Sequence, residues 1–63
     1  MTDFIIVKDA LTKELMLIRK SMICTVEHAI KDGEKVRRIT YTDNRPDEFV
    51  TDSLSYIISE LKD

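Results

Sequence analysis

With one cysteine, Cys24, and one histidine, His28, in 63 residues, the chain can form no intramolecular disulfide and cannot supply the usual four ligands of a structural zinc. Glycine and proline occur once each and tryptophan not at all, so there is no repeat, no low-complexity tract and no phosphate-cradling glycine loop. Long apolar runs are also missing. The longest, Phe4 to Val7 and Leu15 to Ile18, fall far short of the roughly 20 residues that cross a bilayer. The acidic start, Met1-Thr2-Asp3, lacks the basic flank of a signal peptide. A single thiol fits a reducing compartment, so the expectation is a cytoplasmic protein without membrane contact.

What is present is a globular composition, 43% apolar and 35% charged. Its length predicts one domain over residues 1–63. A domain of this size buries only about 60% of the surface its unfolded chain exposes, so its core is marginal. With disulfide and zinc out of reach, a partner chain is the remaining support.

Asp32-Gly33 lies between two apolar-patterned segments and signals a hairpin, because a type I′ turn needs positive φ at both central residues. With these two as the loop, Lys31 faces Glu34, and Val26 with Ile39 and Cys24 with Tyr41 make one apolar face. The other face pairs Thr25 with Thr40, Glu27 with Arg38 and Ala29 with Val36. A slip of one residue destroys both patterns. The predicted hairpin joins Ile23–Ile30 to Lys35–Thr42.

Near the C-terminus, Leu54, Ile57, Ile58 and Leu61 form one helical stripe, with Thr51, Asp52 and Ser53 as N-cap candidates. Asp43 to Pro46 reads as a turn and Asp47 to Val50 as a short strand. Toward the N-terminus, Phe4 to Val7 is a strand. Leu11, Leu15, Ile18 and Met22 would line one face of a helix beginning after Asp9, but that helix leaves Met16 and Leu17 on its flanks. A strand buried on both faces places Leu15 to Ile18 without exposing any. Two strands joined by a turn at Asp9 to Lys13, then a tight turn through Arg19 to Met22, are therefore expected. The fold class that follows is α+β: a small antiparallel sheet of four to five strands, meander or barrel-like, followed by one C-terminal helix.

The stretch Lys13-Glu14-Leu15-Met16-Leu17-Ile18, then Ile23, Val26-Glu27, the hairpin, Phe49-Val50 and Ser53 before the last helix resembles small bacterial proteins of the FlbD flagellar type. It departs from them at Ile18-Arg19, where an Asn usually follows the second strand, and it lacks the Pro-Asp-Thr before the third hairpin strand. The second half is also similar to the end of a LytTR-type DNA-binding domain, in which a charged hairpin is followed by a strand and a helix. Either resemblance implies a small β-rich module with a regulatory or binding role.

No set of residues points to catalysis, and no cofactor or metal is implied. Cys24 and His28 lie four residues apart on a strand, about 13 Å, too far to share an ion or a proton. Cys24 is expected to be buried as a small hydrophobe and His28 to sit at the rim opposite Arg37. Ser21, Ser53, Ser55 and Ser59 include no nucleophile elbow, and Asp47 and Glu48 are explained by solvation and capping beside a turn.

Charge is segregated along the chain: net −1 over residues 1–18, +3 over 19–45 and −4 over 46–63. Lys35, Arg37 and Arg38 on the hairpin are therefore the candidate contacts for an anion or nucleic acid. Against that reading stand the pI of about 5.3 and the absence of aromatic residues among the basic ones. The leading expectation is a non-enzymatic interaction or regulatory module. The first two strands are apolar on both faces, and one helix covers only one of them, so a homo-oligomer, with a dimer favoured, would present a sheet surface to a protein partner. The alternative is a nucleic-acid-binding regulator.

Overall fold

A computed structural model describes residues 3–62. The order is β1 (Phe4–Lys8), β2 (Leu15–Arg19), a 3-10 turn (Lys20–Met22), β3 (Ile23–Lys31), β4 (Glu34–Tyr41), β5 (Glu48–Val50) and α1 (Leu54–Lys62). The fold is α+β with antiparallel pairing between neighbouring strands. The expected single sheet is instead two, β1-β2 and β3-β4-β5.

The β1–β2 connection is built by Asp9. Its Oδ2 accepts hydrogen bonds from the backbone N–H groups of Leu11 (2.9 Å) and Thr12 (2.8 Å), a side-chain mimic of a backbone turn. Lys13 takes φ 64° to close the loop, and the Asp9 N–H donates to the Glu14 carbonyl at 2.8 Å. The Asp32-Gly33 loop has φ of 52° and 81°, which is the positive φ that the dipeptide predicted. The register Lys31↔Glu34, Ala29↔Val36, Glu27↔Arg38, Val26↔Ile39 and Thr25↔Thr40 matches expectation.

The expected Cys24–Tyr41 pair does not form. A bulge between Ile23 and Thr25 sets Ile23 opposite Tyr41, so Ile23 packs on the core while Cys24 is turned out and exposed. An extra residue in one strand reverses the side to which the following residues point. Cys24 is thus neither buried nor on the face the simple register gave it.

The core is Ile5, Val7, Ile18, Ile39, Val50 and Ile57, with Met16, Ile23, Val26, Tyr41 and Leu61 packed around it. Every strand except β3 contributes a buried residue to that cluster, and α1 contributes Ile57. The Ser53 Oγ caps the helix by accepting from the Tyr56 N–H at 3.2 Å, one of the three predicted cap positions. Ile58, expected on the buried stripe, is exposed, while Ile57 is buried and Leu61 packs against the core.

The two sheets meet along a seam. Asp9 bridges Val50, Thr51 N–H donates to the Lys8 carbonyl (3.0 Å) and Ala10 N–H to the Phe49 carbonyl (2.8 Å). The rest of that β1 edge is met by side chains: Tyr56 OH donates to the Ile6 carbonyl at 2.8 Å, and Lys8 N–H donates to Asp52 Oδ1 at 2.6 Å. Sheet continuity stops here because β5 is three residues long and the chain turns into α1, leaving hydroxyl and carboxylate to satisfy the backbone.

Candidate functional site

Strand alternation divides the predicted basic residues. Lys35 and Arg37 share one face of β4, while Arg38 lies on the other. With His28, Ala29 and Ile30 they line an open groove of about 560 Å³. Arg37 reaches His28 Nδ1 at 3.4 Å through Nη1 and the Thr51 carbonyl at 3.5 Å through Nη2, while its Nε is buried without a hydrogen bond. Arg38 is committed on the opposite side, to Glu27 at 3.0 Å and to Asp47 at 3.9 Å. Glu27 is also what raises the Arg38 guanidinium above its ordinary value, first by hydrogen bonding and then by charge. The three residues therefore do not converge on one ligand.

The same outer face carries Phe49 beneath the Lys31 ammonium, 4.7 Å from the ring centroid, and the Thr25 and Thr40 hydroxyls in contact. Val36, fully buried, lies diagonal to Phe49 on this side. Most side chains of this face are paired across the strands, although the Arg38 Nε is buried without a hydrogen bond and faces Asp47 only at 3.9 Å.

The outer face of β1–β2 is different. In the register Phe4↔Arg19, Ile6↔Leu17 and Lys8↔Leu15, these six residues project to one side, away from the core that holds Ile5, Val7 and Ile18. Arg19 stacks on Phe4, 4.6 Å from the ring centroid, and covers one end. The centre is bare: Ile6 is 51% exposed, Leu17 64% and Leu15 70%. The expectation that β2 is buried on both faces is thus corrected, because the chain supplies one covering layer and spends it on the inner face. Alternation of Ile6, Leu15 and Leu17 onto one side was the signal that could have found this patch.

Titrating groups are shifted in ways that describe structure rather than chemistry. Two backbone donors, that of Thr12 foremost, hold the Asp9 carboxyl below its ordinary value. Burial, followed by the charge of Glu48, pushes the Tyr41 hydroxyl up to about 12. Burial and then the Asp9 charge raise Glu48. Among the described residues no group of three or more His, Cys, Asp or Glu side chains is placed to hold a metal ion. No described helix is long and apolar enough to cross a membrane. No protein-family model, curated protein or solved structure matches the chain.

Proposed function

We propose that the chain is a non-enzymatic interaction module that acts in the cytoplasm as a homo-oligomer, a dimer in the simplest case, and presents a sheet surface to a protein partner. The observation that carries this reading is the uncovered centre of the β1–β2 outer face, Ile6, Leu15 and Leu17. Fully covering one such side chain is worth about 1.5–3 kcal/mol, so three adjacent ones supply a substantial drive for a second surface, that of the protein partner, to dock on the sheet face. A regulatory role of the kind the FlbD-type resemblance implies would use the same surface. The exposed thiol of Cys24 would stay reduced in that compartment.

Light scattering at micromolar concentration tests the oligomer, with twice the 7.4 kDa chain mass expected. A monomer across the micromolar range overturns it.

Lys35 and Arg37 support a second reading, because Arg37 brings an unpartnered buried Nε to a basic groove. If that groove follows a phosphate backbone, binding falls linearly with log salt and is lost in Lys35→Glu/Arg37→Glu, while Arg38→Glu leaves it intact. No shift of any duplex or single strand at low salt sinks this alternative.

A further inference from the structure

We infer that two copies join edge to edge along β2, antiparallel and centred on Leu17, so that their β1–β2 hairpins become one continuous four-stranded sheet. This rests on the homo-oligomer reading above and specifies its geometry. The first ground is the direction of the β2 backbone. Asp9 N–H bonds to the Glu14 carbonyl and Lys20 N–H to the Asp3 carbonyl, both at 2.8 Å. These fix Asp3–Lys20, Ile5–Ile18, Val7–Met16 and Asp9–Glu14 as the hydrogen-bonded pairs of the β1–β2 register. The Arg19 carbonyl is taken up in the 3-10 turn that follows, and by alternation the N–H and C=O groups of Leu15 and Leu17 and the N–H of Arg19 point away from β1. Among the described residues no hydrogen bond reaches them, and β2 has no second strand neighbour.

The second ground is what a two-fold axis through Leu17 brings together. Leu17 exchanges both of its backbone bonds with the second copy's Leu17, and each Leu15 carbonyl accepts from the second copy's Arg19 N–H. One step further out, Glu14 comes opposite the second copy's Lys20 at both ends of the ladder, which places opposite charges in register twice. The bare apolar patches of the two copies then lie on the same side of the sheet and merge into one larger surface, which the pairing does not itself cover and which stays open to the protein partner.

The third ground is that β3, the other terminal strand, is protected and β2 is not. The two-residue loop makes Lys31–Glu34 and Ala29–Val36 hydrogen-bonded pairs, so Val26, His28 and Ile30 carry the outward groups of β3. That edge begins at the bulge near Ile23, and pairing about His28 would bring the Arg37 guanidinium beside each His28 toward its own copy. Bulges and charges of one sign are how edges are blunted. Leu15-Met16-Leu17-Ile18 has no bulge, proline or charge. Association therefore closes at two copies instead of propagating.

The experiment compares variants of the full chain in a Cys24→Ser background. The parent should run at twice the chain mass. Leu17→Pro, which removes an N–H that no strand of the same chain uses, should give a monomer with the parent's circular dichroism spectrum. Leu17→Cys should crosslink to itself on mild oxidation, since paired Cα atoms about 5.5 Å apart are within disulfide reach. Leu15→Cys should not, because its counterpart would lie about 13 Å away along the strand. Leu15→Cys/Arg19→Cys should crosslink. A parent that is a monomer overturns the homo-oligomer reading and this one together. A parent dimer that persists in Leu17→Pro but dissociates in Ile6→Lys keeps the oligomer and overturns the edge pairing in favour of stacked faces. Should Leu17→Pro fail to fold, the crosslinking pattern decides alone, and Leu15→Cys crosslinking as readily as Leu17→Cys overturns the register.

Discussion

The β1–β2 and β3–β4 hairpins both give one face to the shared core and differ in how they treat the other. The longer β3–β4 hairpin finishes its outer face within the chain, through Thr25 with Thr40, Glu27 with Arg38, and Lys31 over Phe49. The shorter one finishes only its Phe4–Arg19 end and leaves Ile6, Leu15 and Leu17 in water. The difference lies in what sits opposite what: polar and charged cross-strand pairs complete one another, while an aliphatic pair such as Ile6 and Leu17 still needs a third surface. One hairpin completes its outer face with its own cross-strand pairs, and the other leaves an aliphatic outer face uncovered.

Five expected outcomes test that contrast. The largest concerns what the hairpins share: Ile5→Ala and Ile39→Ala should each cost about 2–5 kcal/mol in denaturant unfolding, because both residues belong to one cluster. A loss confined to one hairpin, seen by hydrogen exchange, would mean two separate cores. Next, Tyr56→Phe removes the hydroxyl donated to Ile6 and should cost about 0.5–1 kcal/mol, with faster exchange in β1 than in β4. Glu27→Ala, which releases Arg38 on the finished face, should cost about 0.2–1 kcal/mol. Leu15→Lys on the unfinished face should move the stability of a single copy by no more than about 0.5 kcal/mol while weakening association.

The smallest effect is in the pH profile. The folded chain lowers the Asp9 carboxyl below its ordinary 3.8, so the turn's contribution is present above that value and is lost as pH falls through the lower folded value. Asp9→Ala should flatten the acid limb of a thermal unfolding series at the β1–β2 turn, and a limb that does not change would assign acid sensitivity elsewhere.

Where the sequence was legible, several local rules agreed. Asp32-Gly33 fixed a turn, and the pairs it implied along residues 25–40 were each chemically sensible, so the register followed. The bulge at Cys24 was not legible, since no local residue demands it; the packing of Ile23 on the core does. The division of Lys35 and Arg37 from Arg38 was readable from strand parity, whereas the Arg37 contact to Thr51 depends on chain returning from 14 positions away. Leu15 to Ile18 misled because four apolar residues in a row look the same whether two layers cover them or one. The split into two sheets depended on how β5 runs out into α1, which is a matter of where Ser53 caps the helix.

The seam between the sheets carries a consequence for how the chain acquires its shape. Both hairpins are closed by short loops, but the side-chain clamps on the seam join residues 44 to 50 positions apart, Lys8 to Asp52 and Ile6 to Tyr56. Contacts of such separation pay their loop-closure entropy late, so the hairpins form first and the molecule locks only when its last dozen residues arrive. Until then the first strand lacks both its helix and its neighbouring sheet. A ribosome therefore releases the open β2 edge of this chain well before it releases the segment that closes the seam.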